Sequence, residues 1–154
     1  MKKIIKYADF VNEAQQTKKV EVRKSTIPNA GNGLFALKDF KKDDKIDQYT
    51  GRVISSDEAD ELANNAKPHD PSIEYFIALD NGKVLDVYKS DCLARIANDA
   101  EGYSKIKGFS NNSKIMEYPG SKIFLVATKN IPAGSEIFTG YGKHYWDNYK
   151  AINK

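Results

Sequence analysis

Gly31-Asn32-Gly33-Leu34-Phe35-Ala36 is the stretch on which the fold of this chain turns. Formally it matches the GxGxxA variant of the dinucleotide fingerprint. That fingerprint needs a buried strand before it, a helix after it and an acidic residue about twenty positions further on. Here the preceding strand is short and charged, although Leu34 to Phe40 could just pass for helical. The cluster Pro28-Asn29-Ala30-Gly31-Asn32-Gly33 demands a turn, and Leu34 to Leu37 then reads as a strand.

Outward from this turn the signals are those of short strands. Val20 and Val22 alternate with charges, and Ile46 to Ile54 reads as a strand after the charged turn Lys41 to Lys45. Ser55 with Glu58 makes a capping box that opens a helix of about ten residues, stopping before Pro68. Ile73 to Leu79 and Val84 to Val87 flank Asp80-Asn81-Gly82, where Asn-Gly suits a type I′ hairpin turn. A short helical piece, Asp91 to Ala97, leads into a polar loop from Asp99 to Ser113. Lys114 to Tyr118 and Lys122 to Ala127 are further strands, joined by Pro119-Gly120-Ser121. Ile131-Pro132-Ala133-Gly134 turns the chain into Glu136 to Thr139, and an aromatic end follows: Tyr141, Tyr145, Trp146 and Tyr149. Residues 4–16 predict a short amphipathic helix. Many short strands with little helix indicate a mainly β fold of small sheets.

Composition narrows the function. The chain has 154 residues, enough for one core, and its 24 basic and 21 acidic side chains leave a net charge of +3. The N-terminal lysines are interrupted by Asp9, Glu13 and Glu21, which reads as a solvated face rather than a nucleic-acid stripe. Cys92 is the single cysteine, and His69 and His144 are the only histidines, so neither a disulfide nor a zinc knuckle is expected. No signal-peptide core follows Lys2-Lys3, and no stretch approaches a membrane span. The expectation is a soluble intracellular protein without metal, membrane or direct nucleic-acid partner.

Set side by side, the motifs resemble an ordered family pattern. Gly31 to Ala36 resembles the first motif of SET-domain protein lysine methyltransferases. Tyr49-Thr50-Gly51 sits where that family carries Tyr-x-Gly. Tyr75 to Asp80, followed by Val84-Leu85-Asp86, resembles its tyrosine-led hairpin. Ala94-Arg95-Ile96-Ala97-Asn98-Asp99 is similar to the Arg-x-x-Asn segment, and Ile131 to Ile137 leads to Tyr141-Gly142 as in the family's catalytic end. The set covers roughly residues 20–146, leaving 1–19 as an N-terminal extension and 147–154 as a C-terminal tail. The chain has Asp99-Ala100-Glu101 where the family commonly has His-Ser-Cys, Gly140 where an Asp usually precedes the tyrosine, and no flanking zinc cysteines.

The resemblance implies a SET fold of several small β-sheets with a knot-like C-terminal core, the segment before Tyr141 passing under an earlier loop. It also implies S-adenosylmethionine as cofactor and a lysine-bearing protein tail as substrate, histone favoured, with the nucleus as the favoured compartment. A free lysine, with a pKa of about 10.4, is only about 0.1% neutral near pH 7.4, a handicap of roughly 4 kcal/mol. A narrow aromatic channel desolvates the amine and lowers that pKa. Tyrosines suit it because each pairs an apolar ring with one hydroxyl, whose oxygen can hold a polarised methyl through C–H···O contacts. By resemblance Tyr141 is the catalytic tyrosine, and Tyr75 lines the shared cofactor and lysine site. Thr139, two places earlier, matches the position that influences methyl number. The backbone at Ala30, Gly31, Asn32 and Gly33 would approach the methionine part of the cofactor. Asn98 offers both donors and an acceptor to the same end, the Asp99 backbone meets adenine, and Trp146 is a flat wall for it. With zinc clusters absent, Tyr145, Trp146 and Tyr149 must close the channel. Two alternatives stand beside this reading: a SET-like module that binds without catalysis, and a dinucleotide enzyme built on GxGxxA.

Overall fold

Valine alternating with charge makes β1 (Val20–Lys24), which pairs antiparallel with β2 (Asn32–Ala36) across the glycine turn, Val22 opposite Leu34. The computed structural model describes residues 18–68, 70–102 and 107–152, so the helix expected over 4–16 lies outside the described residues. Because 32–36 is a strand buried from Gly33 onward, no helix follows the glycines, and the dinucleotide fingerprint lacks half of its required setting.

Ile46 to Ile54 is not one strand. It divides into β3 (Lys45–Tyr49) and β4 (Arg52–Ile54), and the two halves join different sheets. Tyr49 pairs with Ile123, whereas Arg52 pairs with Asp86. The break falls at Thr50-Gly51, between the pairings. Helix α1 (Ser56–Asn65) begins where the capping signal put it, with Ser55 Oγ accepting from Glu58 N at 3.1 Å. Only that half of the box forms, since the Glu58 carboxylate turns to Arg52 instead, at 2.9 Å.

The hairpin is present but shorter and differently turned than expected. Asp70 caps a 3-10 turn, Pro71–Ile73, so β5 is only Phe76–Ala78, paired with β6 (Val84–Asp86). Leu79 N reaches Lys83 O at 2.9 Å, Gly82 N reaches Leu79 O at 3.0 Å, and Gly82 has φ +79°. Asn81 has no positive φ, so the connection is a three-residue loop with glycine in the left-handed position rather than type I′. A 3-10 turn at Leu93–Ile96 follows, then the long polar loop, then β7 (Ser113–Tyr118), β8 (Lys122–Ala127) and β9 (Glu136–Ile137). Helix α2 (Lys143–Ile152) takes up the aromatic end and runs across residue 146.

Three antiparallel three-stranded sheets result, ordered β1-β2-β9, β3-β8-β7 and β4-β6-β5. Their inner faces supply one continuous core that includes Leu34, Ile46, Leu85, Ile123, Leu125 and Ile137. The knot-like part lies at residues 136–139. On one edge β9 pairs with Leu34 and Phe35. Beyond it, Phe138 bridges Asn98 and Thr139 bridges Ser113, both in parallel. Both ends of the 99–112 loop therefore clasp the same short segment, with Thr139 N donating to Asn98 O at 2.9 Å and Ser113 N to Phe138 O at 3.0 Å. No helix among the described residues is long and apolar enough to cross a membrane.

Candidate active site

Glu136 is the unexpected centre of the first group of site residues. It is 5% exposed and has no cationic partner among the described residues. Its carboxylate instead collects Ser25 Oγ at 2.7 Å, Thr26 N at 2.7 Å and the Thr26 hydroxyl. Burying a carboxylate is costly unless hydrogen bonds replace its water, and here hydroxyl and amide donors do so. The bonds tie β9 to the start of the loop that carries Ala30 and Gly31, itself closed by Ser25 N to Gly31 O at 2.9 Å. Gly33 is required beside it, because a Cβ there would lie 2.1 Å from Glu136 Oε1. The available sequence signal is an acidic residue set directly before the apolar pair Ile137-Phe138.

Asn98 joins this group. Its Nδ2 donates to Asn32 O at 2.9 Å and lies 3.4 Å from Glu136 Oε1. Both amide protons are thereby directed into the protein. The carbonyl oxygen is left without a partner among the described residues. Asn98 thus presents an acceptor rather than the mixed set expected of it, which is chemistry for an ammonium group.

Tyr141 stands next to the same stretch and is held at both ends. Its hydroxyl donates to Ala97 O at 3.0 Å, and its backbone N donates to Asp99 Oδ2 at 2.9 Å. Burial, with Tyr145, Asp99 and Tyr75 nearby, raises its pKa well above 10.0, so the phenol stays neutral. With its proton given to Ala97, the oxygen keeps lone pairs for another donor.

Tyr141, Tyr75, Tyr49 and Tyr145 line one cavity of about 520 Å³, together with Thr139 and Arg95. Two polar atoms are buried here without partners among the described residues, Thr139 Oγ1 and Arg95 Nε. Tyr49 also lies far above its ordinary pKa, first through burial and then through Cys92 and Tyr141. The Arg95 guanidinium sits 5.7 Å from the Tyr75 ring centre. Tyr49 and Arg95 have no contact with this cavity assigned from sequence alone, and Tyr145 is expected there only as one of the aromatics closing the channel.

The expected residues therefore fall into two linked groups. Ala30, Gly31, Asn32 and Gly33 gather with Asn98 around Glu136, whereas Tyr75 and Tyr141 line the cavity; Asp99 bonds Tyr141 between them. Trp146 lies against Tyr141, the rings 5.8 Å apart and within 14° of parallel, and is not on the cavity wall. Among the described residues, no three His, Cys, Asp or Glu side chains are grouped so as to hold a metal ion.

Comparison with known proteins agrees with this geometry. The model of the SET domain matches residues 31–142, from the glycine turn to the residue after Tyr141. The chain belongs to the SET-domain family. Histone-lysine N-methyltransferase mes-2 of Caenorhabditis elegans is 42% identical over 69 residues, 45% of this chain and 9% of its own length. Histone-lysine N-methyltransferase ATXR7 of Arabidopsis thaliana is 30% identical over 112 residues, 71% of this chain and 7% of its own length. Histone-lysine N-methyltransferase EZH2 of Chaetomium thermophilum is 29% identical over 143 residues, covering 89% of this chain and 9% of the relative. This SET domain thus spans less than a tenth of each of these three relatives.

Proposed function

We propose that this SET domain is a protein lysine N-methyltransferase using S-adenosylmethionine, with histone tails as its substrate class and the nucleus as its place of action. The observation that carries the reading is the cavity walled by four tyrosines, with the neutral Tyr141 phenol held by Ala97. Such a wall strips water from an entering lysine side chain and favours its uncharged amine. Tyr141 then orients that amine by accepting an N–H at its hydroxyl oxygen. Thr139, small and 1% exposed, leaves space for an amine that already bears methyl groups.

The Asn98 carbonyl and the backbone of Ala30 to Gly33 suit the amino-acid end of the cofactor, since a free acceptor beside a glycine turn matches an ammonium. When bound, the cofactor supplies an electrophilic methyl group. The Asp99 backbone and the Trp146 ring complete that side, toward the adenine end. The outer edge of β5 is unpaired in its sheet and lines the cavity through Phe76, Ile77 and Ala78. It offers main-chain groups along which an extended peptide can lie while its lysine enters.

The test is incubation of the purified chain with isotope-labelled S-adenosylmethionine and a panel of histones, read by mass spectrometry. Label on a histone lysine is the expected outcome. Cofactor binding with no transfer to any protein would favour a non-catalytic binding module instead.

A further inference from the structure

We propose that Asp99 is a positioning residue whose carboxylate straps helix α2 onto the reaction site, fixing Tyr141 and Trp146 as one unit. The inference rests on the reading of Tyr141 as catalytic and adds a role for a side chain expected to contribute only its backbone.

The Asp99 carboxylate is saturated by protein donors. Oδ2 accepts from Tyr141 N at 2.9 Å and from Trp146 Nε1 at 2.8 Å. Oδ1 accepts from Asn111 Nδ2 at 2.9 Å and from Glu101 N at 2.9 Å. One side chain thus joins the catalytic backbone, the first turns of α2 and the far end of the 99–112 loop. Charge-assisted bonds of this kind are stronger than neutral ones, and three of the four, those from Asn111, Tyr141 and Trp146, are partly buried.

The surroundings are shaped for the same indole. A Cβ on Gly102 would lie 2.1 Å from Trp146 Cζ2, so the loop passes where only glycine admits the ring. Across from it the Trp146 ring lies offset-stacked on Tyr141, and Tyr145 meets both rings edge-on, at 4.9 and 5.0 Å between centres. Tyr141 is consequently braced against residues 97–99 at two points, hydroxyl to Ala97 and backbone to Asp99. Loss of the Asp99 brace frees the Tyr141 backbone and, with it, the Trp146 ring stacked on the phenol, leaving the bond to Ala97 as the one hydrogen bond on Tyr141 among the described residues. A phenol that must orient an amine loses efficiency steeply with small displacements, on the order of a hundredfold for about 1 Å.

Asp99→Asn is the discriminating change, because it is isosteric but replaces one acceptor oxygen with an NH₂ that faces other donors. Trp146 is the single tryptophan of the sequence, so its fluorescence reports the strap directly. In the full chain, the Asn variant should show red-shifted emission and at least about twofold stronger acrylamide quenching. Its single-turnover methyl-transfer rate at saturating S-adenosylmethionine should fall roughly 10- to 100-fold. Trp146→Phe should produce part of the same rate loss, and the double variant should lose less than the two losses combined. Unchanged quenching in the Asn variant, or a loosened Trp146 with a rate within about threefold of the parent, overturns the strap. If the Asn variant does not fold, Trp146→Phe decides it, and a parental rate overturns the proposal. Absence of transfer by the parent itself would strike the methyltransferase reading, while the quenching measurement would still decide whether Asp99 holds α2.

Discussion

Asn98 donates its side-chain amide to the carbonyl of Asn32 at 2.9 Å, joining residues 66 positions apart. One amide thereby sets the position of the glycine turn and aims its own carbonyl oxygen away from the protein. Asn98→Ala should weaken S-adenosylmethionine binding by about 1–3 kcal/mol, because it removes an acceptor and frees the turn. Asn98→Asp should do worse at neutral pH, since it sets a second carboxylate beside Glu136. Calorimetry and melting temperature, measured together, check both. A large fall in melting temperature with normal affinity would make Asn98 a purely structural cap.

Gly33→Ala should destabilise the fold by about 1–3 kcal/mol or more. The added carbon would meet Glu136 Oε1, and Glu136 cannot swing aside while Ser25 and Thr26 hold it. Urea unfolding measures the loss. Stability equal to the parent would show that the carboxylate is not pinned.

Tyr141→Phe keeps the ring and deletes the bond to Ala97. Single-turnover methyl transfer at saturating cofactor should drop by roughly 30- to 1000-fold, corresponding to about 2–4 kcal/mol. Cofactor affinity should be little altered. A ratio below about threefold would reduce Tyr141 to a packing residue.

Thr139 carries a buried hydroxyl with no partner among the described residues. Replacing an unsatisfied polar group by an isosteric methyl is near-neutral or favourable, so Thr139→Val should match the parent's stability or exceed it by about 1 kcal/mol. Thr139→Phe fills cavity space and should shift products toward monomethyl-lysine. Mass spectrometry of the methylated peptide reads the change, and an unaltered product ratio would remove Thr139 from control of methyl number.

Tyr49 and Tyr141 both have phenol pKa values raised above 10.0 by burial. Above pH 10 the unfolded chain gives up these protons while the folded chain keeps them, so the native state binds more protons and loses stability as pH rises. Their contribution should be flat up to about pH 10 and then fall by up to about 1.4 kcal/mol per pH unit for each group. Urea titrations between pH 8 and about 11 test it, with Tyr49→Phe expected to flatten the slope.

Much of this was legible in the chain. Alternation marked β1, the turn Pro119-Gly120-Ser121 separated β7 from β8, and Ser55 with Glu58 placed the start of α1, because each is a local pattern with a local cause. The order of motifs located Tyr141, Tyr75 and Asn98. What was not legible depends on distant partners. Apolar residues run through both β3 and β4, so nothing in 46–54 announces that its two ends serve different sheets. Asn-Gly fits more than one turn, and Leu79 with Lys83 selects the three-residue form here. Glu136 is only one residue of a motif until Ser25 and Thr26 arrive from more than a hundred positions earlier. The Asp99 side chain likewise has no visible task until Trp146 is folded back over it.

The clasp around residues 136–139 imposes an order in time. β2 lacks its β9 neighbour, Asn98 lacks Thr139, and the Ser25 hydroxyl lacks Glu136 until that late segment has been made and seated. Contacts this remote in sequence form slowly, because closing the long intervening loops comes before any gain from the contact. Until then the preceding sheets stay incomplete, with apolar surface exposed that the finished core covers. The cavity is then completed late and all together, for the segment that completes the core is the one that leads into Tyr141.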